Sequence, residues 1–302
     1  MSQAKREKRD ISGWLVLDKP YDVSSTEAVG KVRWLLSAKK GGHAGTLDPL
    51  ATGILPIALG EATKTVPHIQ DGTKVYRFAI VWGAATNTDD AEGEVIAASD
   101  HRPSRAEVEA ALPGFTGTIT QIPPAYSAIK IAGERAYDRE RAGEVFAMPE
   151  RAVTIESFVL EEHGEERSAF SVTCEKGTYI RALARDLARA LGTEGHVGAL
   201  RRTRVGPFSE ADAIGLAELE AMAPEMRETV LKPVSAGLTD VPEIRLDRAQ
   251  AQIVRLGNPV LLRGQGAPIA LDEAWASCAG EAVAIGAVET GQFKPRRVIL
   301  PK

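Results

Sequence analysis

Along the chain, segments of strand-like and helix-like hydrophobic spacing follow one another, separated by short polar or glycine-containing stretches. Apolar runs and alternation with period two predict strands, because successive side chains of a strand point to opposite faces. The predicted strands cover residues 12–17, 54–59, 74–82, 116–120, 152–160, 169–174 and 200–208.

Helix signals lie between these strands. Ser24 with Glu27, and Ser104 with Glu107, have the spacing of a capping box, in which each residue satisfies a backbone N–H of the other. Leucines at spacing four and a glycine stop predict a third helix, which carries three arginines on a second stripe. The predicted helices cover residues 24–37, 104–112, 178–191 and 216–222.

Two departures from this pattern predict the domain organisation. Residues 121–150 mix prolines, glycines and charges between two strands, which indicates a long excursion from a sheet, of the kind that often grips a substrate. After residues 238–242 the pattern resets: residues 244–256 are amphipathic, and short strands then alternate with glycine turns. We therefore predict one domain over residues 1–240 and a small β-rich barrel over residues 241–302.

Composition narrows the class of protein. Of the 302 residues, 44% are hydrophobic and 26% are charged, as in an ordinary globular protein. No run approaches the roughly 18 apolar residues that span a membrane, and no apolar signal region follows the basic N-terminus. Two distant cysteines, Cys174 and Cys278, fit a reducing compartment. We expect a cytoplasmic protein without a membrane segment.

The distribution of charge matters more than the net charge of −4. Residues 176–204 carry seven basic residues against two acidic ones, and residues 31–43 and 293–302 carry basic residues without any acid. A charge run is usually a solvated face. Three separate basic segments nevertheless favour a polyanionic partner.

A glycine-rich stretch, residues 41–50 (GGHAGTLDPL), contains both a carboxylate and an imidazole. Its three glycines permit backbone angles that other residues avoid, and Pro49 biases Asp48 toward an extended conformation. Two interpretations stay open from this segment alone. It is either a shaped loop that presents Asp48 and His43, or a turn in which Asp48 is a local cap.

Common catalytic motifs are absent from the sequence. There is no Walker A loop, no GxSxG, no HExxH and no GxGxxG after a strand, and the five histidines have no paired spacing. We therefore expect neither a cofactor nor a metal. Asp48 remains the main candidate, with Lys64, Tyr76 and Arg181 as companions. Taken singly, these three also fit a surface lysine, a half-buried strand aromatic and a solvated helix charge.

Five blocks in order resemble the TruB family of pseudouridine synthases: HAGTLDPLATGILPIALGEATK, KVYRF, PPAYSAIKIAGERAY, KGTYIRALARDLARALG and GALRRTRVGPF. The resemblance runs from Gly13 to about Phe208, and the tail resembles the PUA domain of bacterial members. It implies an α+β fold: a mixed, largely antiparallel catalytic sheet flanked by helices, followed by a small PUA-like β-barrel.

The resemblance also implies an activity. The family isomerises uridine 55 in the TΨC loop of tRNA: the N1–C1′ bond breaks, the uracil turns, and C5 bonds to C1′. By the match, Asp48 is the essential carboxylate, oriented by Arg181. Whether Asp48 attacks C1′, assists an elimination or adds to the base stays open.

Other roles follow from the same match. Tyr76 would stack on the target base and assist proton transfer, Lys64 would support the electrostatics of the pocket, and Leu200 would form an apolar wall. Tyr179 would pack behind Arg181. His43 would occupy the space that the flipped base leaves, which we favour over a role as general base.

The expected partner is tRNA, bound by a monomer. The excursion at residues 121–150 would clamp the T-arm stem-loop, and the C-terminal domain would reach the acceptor end. The predicted RNA contacts are Arg202 and, on the excursion, Lys130, Arg135, Arg139 and Arg141, with Lys294, Arg296 and Arg297 in the tail.

Two rival functions use the same features. A non-catalytic RNA-binding protein or RNA chaperone would account for the basic segments and the PUA-like tail, but it would not need the four candidate site residues. A hydrolase with Asp48 as nucleophile usually requires a second acid or a metal nearby, and the sequence contains no paired motif for either.

Overall fold

The computed structural model describes residues 7–301 apart from 128, 132, 143 and 145, and the backbone alone at 130, 135, 137 and 141. The α-helices are α1 (Ser25–Leu36), α2 (Val66–Asp71), α3 (Arg105–Ala111), α4 (Ala136–Arg141), α5 (Ile180–Ala190), α6 (Leu216–Ala221) and α7 (Arg248–Arg255). Short 3-10 helices cover Gly60–Lys64, Leu112–Phe115, Glu210–Asp212, Pro224–Val230 and Val234–Gly237.

The strands up to the predicted excursion are β1 (Gly13–Lys19), β2 (Gly41–His43), β3 (Thr52–Leu59), β4 (Lys74–Trp82), β5 (Ala84–Thr86), β6 (Val95–Ala98) and β7 (Gly117–Gln121). Those that follow are β8 (Lys130–Ile131), β9 (Glu134–Arg135), β10 (Arg151–His163), β11 (Arg167–Cys174), β12 (Gly195–Val205), β13 (Phe208–Ser209), β14 (Ile214–Gly215), β15 (Glu243–Arg245), β16 (Val260–Leu261), β17 (Leu271–Cys278), β18 (Glu281–Glu289) and β19 (Gln292–Val298).

The chain forms two compact units. Unit 1 comprises Met1–Asp48, Ile54–Asp71 and Gly206–Lys302, and unit 2 comprises Pro49–Gly53 and Gly72–Val205. Asp48 therefore belongs to unit 1, while Tyr76 and Arg181 belong to unit 2.

Unit 2 contains an antiparallel ladder of strands in the order β12-β4-β11-β10-β7. One face of α5 packs into its core, because Ile180, Leu183, Ala184 and Leu187 recur at helical spacing. The excursion predicted at residues 121–150 connects the paired strands β7 and β10 and contains β8, β9 and α4. The predicted excursion from a sheet is confirmed.

Unit 1 contains two strand systems. The parallel pair β1–β14 and the antiparallel pair β2–β3 lie in the first, beside α1, which begins with the predicted Ser24–Glu27 capping box. The second is a five-stranded sheet in the order β15-β17-β18-β19-β16, which shares an apolar core with α7. The predicted C-terminal barrel is thus a curled, open sheet with β15 and β16 at its edges.

Most predicted elements are present, and β4 has the predicted bounds. One predicted strand was wrong in extent. β12 begins at Gly195, five residues before Leu200, because the chain turns back directly after Gly192, whose φ is 71°. The amphipathic span 244–256 is divided into β15 and α7 by an Asp247–Gln250 capping box.

Two further expectations concern organisation and environment. The boundary between residues 240 and 241 stays a prediction, although every strand of the five-stranded sheet lies after residue 242. Within the described ranges, no helix is long and apolar enough to cross a membrane.

Candidate active site

Asp48 lies in the loop between β2 and β3. The β2–β3 ladder ends where His43 pairs with Ile57, and the Ala44 N–H donates to the Pro56 carbonyl at 2.9 Å. The chain then has no regular secondary structure until Thr52, and Gly45 takes a φ of 106°. The predicted irregular, glycine-dependent loop is present, and Asp48 is half-buried within it.

A buried serine holds the residue before Asp48. The Ser25 hydroxyl donates to the Leu47 carbonyl and accepts from the Leu47 N–H, both at 2.8 Å. Ser25 is 3% exposed and Leu47 is 4% exposed. The first residue of α1 therefore anchors the loop across 22 positions of sequence.

The turn before Ser25 is also held by a buried side chain. The Lys19 ammonium, which is inaccessible to solvent, donates to the carbonyls of Pro20 and Val23 at 2.9 and 2.7 Å. A lysine amine has only donors, so two carbonyls at short distance suit it. Neither Lys19 nor Ser25 was among the sequence candidates. The sequence signal was the pair Ser24-Ser25, where only one serine can be the cap.

His43 and Lys64, two predicted site residues of unit 1, have different surroundings. His43 is half-buried at the end of β2. The Lys64 ammonium donates to the Glu61 carboxylate at 2.6 Å and to the Val298 carbonyl at 2.7 Å, and Glu61 accepts from the Leu300 N–H at 2.7 Å. These contacts hold the C-terminal segment to the 3-10 helix at Gly60–Lys64. A catalytic role for Lys64 stays a prediction.

Tyr76, Leu200 and Arg202 come together on two neighbouring strands of unit 2. The Cα of Tyr76 on β4 pairs with that of Arg202 on β12, and Leu200 pairs with Phe78. Tyr76 and Leu200 are half-buried against the same apolar core. Arg202 is only 1% exposed, and its predicted RNA contact stays a prediction.

Arg181, near the start of α5, is 6% exposed. Its guanidinium donates to the Thr88 carbonyl at 2.8 Å and the Tyr126 carbonyl at 2.9 Å, and it lies 3.5 Å from the Asp90 carboxylate. The alternative interpretation of Arg181 as a solvated helix charge is therefore wrong. A buried guanidinium has its fixed donors satisfied by several acceptors at once.

The loop at residues 87–94 is acidic, and two of its carboxylates lie largely out of solvent. Asp90 is buried, and its Oδ1 accepts from the Thr88 hydroxyl at 2.6 Å and from the Glu92 N–H at 3.0 Å. Consecutive acids in one segment and arginines four apart in another were the available signal. Their pairing depends on the fold.

The second acid of this loop binds the second arginine of α5. Arg185 donates to Asp89 at 2.9 Å, and also to Asp186 at 2.9 Å. Burial raises the pKa of the Asp89 carboxyl above its usual value, against the opposing charge of Arg185. Burial acts to lower the pKa of Arg185, but Asp186 and Asp89 raise it above its usual value. These groups form a partly buried charge network beside Arg181.

The backbone of Tyr179 is held by the side chain of Gln121. The Gln121 amide, 1% exposed, accepts from the Tyr179 N–H at 3.1 Å and donates to the Tyr179 carbonyl at 3.3 Å. The Arg151 guanidinium lies 5.9 Å from the centre of the Tyr179 ring. Gln121 was not a sequence candidate, since nothing in its neighbourhood distinguishes it from other strand polar residues.

The structure describes only some of the side chains that are predicted to contact RNA. The side chains of Lys130, Arg135 and Arg141 lie outside the described residues. Arg139 donates to Glu144 at 2.7 Å and stands over the Phe146 ring at 5.2 Å. In the tail, Lys294 pairs with Glu289, while Arg296 and Arg297 donate to the carbonyls of Asp272 and Lys64.

In the part of the chain that the structure describes, no group of three or more His, Cys, Asp or Glu side chains has a metal-site arrangement.

Sequence comparisons identify two family models. Residues 33–180 match the model of the TruB family pseudouridylate synthase N-terminal domain, and residues 181–239 match that of the tRNA pseudouridylate synthase B C-terminal domain. Full-length relatives are also found. The chain is 51% identical over 317 residues to tRNA pseudouridine synthase B of Brucella anthropi, and 50% identical over 319 residues to that of Mesorhizobium japonicum. In both cases the match covers 98% of each chain.

Solved structures support the same fold. A Cbf5-Nop10-Gar1 complex matches with a TM-score of 0.71 at 24% identity, and an H/ACA RNP bound to a substrate RNA containing 2′-deoxyuridine matches with 0.72 at 22% identity. Each match covers 96% of this chain and 85% of the other. At this identity the likeness concerns the fold alone.

Proposed function

Because the chain belongs to the TruB family of pseudouridine synthases and is an isomerase of uridine in tRNA, we propose that its target is uridine 55 of the TΨC loop and that Asp48 is its essential carboxylate. The observation that carries this proposal is the family match over residues 33–239, which includes Asp48, Tyr76 and Arg181. The anchored loop around Asp48 supports it.

The reaction breaks the N1–C1′ bond and forms a C5–C1′ bond, and the proton on C5 is lost to solvent. Nothing is oxidised or reduced, and atoms balance once N1 takes up a proton. In each of the three possible mechanisms for Asp48, an ionised carboxylate must be held at a fixed position relative to the sugar or the base. The loop provides that constraint, because the Ser25 hydroxyl holds both backbone groups of Leu47, the residue before Asp48.

The other residues have distinct proposed roles. Tyr76, half-buried on β4, stacks on the target base, and Leu200 on the adjacent strand forms an apolar wall. Arg181 contributes a positive charge to the reaction, and its own bonds to Thr88, Tyr126 and Asp90 hold that charge in place. His43 occupies the space left when the uridine is flipped. Lys64 contributes positive charge and no proton transfer, since Glu61 and Val298 engage its ammonium.

We assign tRNA binding to arginine and lysine side chains at the surface. Arg139 and its neighbours on the excursion clamp the T-arm stem-loop, and Lys294, Arg296 and Arg297 reach the acceptor end. Affinity that depends on phosphate contacts falls steeply with salt. We place the protein in the cytoplasm as a monomer. The non-catalytic RNA chaperone is not favoured, because the full-length relatives are named synthases.

Tritium release from RNA labelled at uridine C5 tests the proposal. Wild type should release one tritium per T-arm stem-loop, and none from a stem-loop in which uridine 55 is replaced by cytidine. Asp48→Asn should bind the RNA normally and lower the single-turnover rate by about 10⁴-fold, the upper range for a positioned acid–base group. Asp100→Asn, at an exposed loop position, is the matched control.

Two results would contradict the proposal. Release from the cytidine-substituted RNA would place the target elsewhere. An Asp48→Asn variant that turns over at the wild-type rate would remove Asp48 from the chemistry.

A further inference from the structure

The most specific contact not used by the mechanism is the one between the Ser25 hydroxyl and the main chain of Leu47. Both hydrogen-bonding groups of Leu47, its N–H and its carbonyl, are taken by the same oxygen at 2.8 Å. A hydroxyl is a small group that donates and accepts at once, so one serine can satisfy both. Because the pair is buried, loss of the hydroxyl would leave two backbone groups unsatisfied.

The geometry of this contact reaches Asp48 directly. The Leu47 carbonyl and the Asp48 N–H belong to one planar peptide group. A hydrogen bond that fixes the carbonyl therefore also fixes the peptide plane in which the Asp48 Cα lies. On the other side, Pro49 restricts Asp48 to extended backbone angles. Ser25 and Pro49 together confine the backbone that carries the carboxylate.

Ser25 itself stands on a rigid base. It is the first residue of α1, and α1 buries Ala28, Val29, Val32 and Leu35. The Ser24–Glu27 capping box closes the first turn of the helix. A hydroxyl at this position is thus fixed relative to the core of unit 1, whereas the loop at residues 44–51 lacks regular secondary structure.

We propose that Ser25 is a positioning residue for catalysis, which acts by holding the Leu47–Asp48 peptide so that the carboxylate meets the target uridine. Ser25 can act in this way only if Asp48 is the catalytic carboxylate, so the inference rests on the proposed function. It assigns no contact between Ser25 and RNA. Its effect should therefore fall on the chemical step and leave RNA binding unchanged.

The test compares Ser25→Ala with Ser24→Ala in the full-length protein. The two serines are adjacent, but Ser24 caps the helix through Glu27 and Ser25 brackets Leu47. Three quantities are measured for each: the single-turnover rate of tritium release from C5-labelled T-arm RNA, the Kd for that RNA by filter binding, and the Tm.

Ser25→Ala should lower the single-turnover rate by about 10²-fold, the loss that a 1 Å displacement of a catalytic group can cause. Its Kd should stay within about twofold of wild type. Ser24→Ala should lower Tm by about 2–4 °C and leave the rate within about threefold. Equal rate losses in the two variants would overturn the proposal, because the rate would then follow helix stability. A wild-type rate in Ser25→Ala would also overturn it.

A second pair of variants separates the hydroxyl from the volume of the side chain, and it also serves if Ser25→Ala does not fold. Ser25→Thr and Ser25→Val have nearly the same shape, but only threonine can bracket Leu47. Threonine should turn over at least about tenfold faster than valine. Equal rates in these two variants would refute the proposal.

Asp48→Asn, measured alongside, distinguishes the two possible failures. If Asp48→Asn is inactive and Ser25→Ala is fully active, only the positioning role fails. If Asp48→Asn turns over normally, the proposed function fails first.

Discussion

The Asp48 loop and the Arg181 segment are held by the same kind of hydrogen-bonded contact, but they differ in the charges around it. Each has a buried, uncharged side chain that bonds to both the N–H and the carbonyl of a residue one or two positions before the site residue: Ser25 on Leu47, and Gln121 on Tyr179. The Arg181 segment adds charges, since Arg181 and Arg185 meet Asp90 and Asp89.

This difference separates two ways of holding a catalytic group. We call an uncharged side chain that bonds to both backbone groups of one residue a neutral bracket. Such a contact depends on hydrogen-bond geometry and is insensitive to pH and salt. A buried charge network orients the side chains in it and creates an electrostatic field around them. It requires that every charge keep its partner, because an unpaired buried charge is strongly destabilising. Both segments have the uncharged contact, and the Arg181 segment has the charge network in addition.

The largest expected effect in this comparison is that of Arg181→Lys. Lysine keeps the charge but lacks the planar fork that donates to Thr88 and Tyr126 at the same time. We expect the single-turnover rate to fall by at least about 10²-fold. Arg189→Lys, at the exposed end of α5, is the matched control and should retain full activity. A rate for Arg181→Lys within threefold of wild type would mean that charge alone suffices.

The next effect concerns the neutral bracket of unit 2. Gln121→Leu keeps the approximate volume and removes both bonds to Tyr179, so the free energy of unfolding should fall by about 2–4 kcal/mol. Urea unfolding measures this loss. Gln252→Leu, at an exposed position on α7, should stay within about 0.5 kcal/mol of wild type. Equal losses at both sites would show that the Gln121 bracket contributes nothing specific.

The smallest effect is a difference in pH dependence. Burial raises the pKa of Asp89 from its ordinary value of 3.8, so the folded protein binds this proton more tightly than the unfolded chain. The contribution of Asp89 to stability is therefore greatest in acid and declines as pH rises from about 3.8 through the raised value. Asp89→Asn removes this decline, and the variant should gain stability relative to wild type as pH rises, by no more than about 1.4 kcal/mol per pH unit.

Ser25→Ala is the control for that measurement. A serine hydroxyl does not titrate, so the stability difference between Ser25→Ala and wild type should be constant over the same pH range. Denaturant unfolding at several pH values from 4 to 7 measures both differences. A constant difference for Asp89→Asn would show that the network of unit 2 is as indifferent to pH as the neutral bracket.

The sequence by itself determined the features whose causes are local. The Ser24–Glu27 box started α1, the alternation from Lys74 to Trp82 matched β4, and the five ordered blocks identified the family and its α+β fold. Local signals work because helix caps, strand alternation and turn glycines depend on residues a few positions apart. Where a local signal was overlooked, as with the Asp247–Gln250 box, the helix that it begins was not predicted.

Only the tertiary structure decided what each polar residue does. Ser24 and Ser25 are adjacent and chemically identical, yet one caps a helix and the other brackets a loop 22 residues away. Gln121 meets Tyr179 across 58 positions, Arg202 lies in the interior, and Asp89 and Asp90 are partners of α5. The physical reason is that a hydrogen bond or ion pair requires two groups within about 3–4 Å, and for distant residues that distance exists only after the chain has folded.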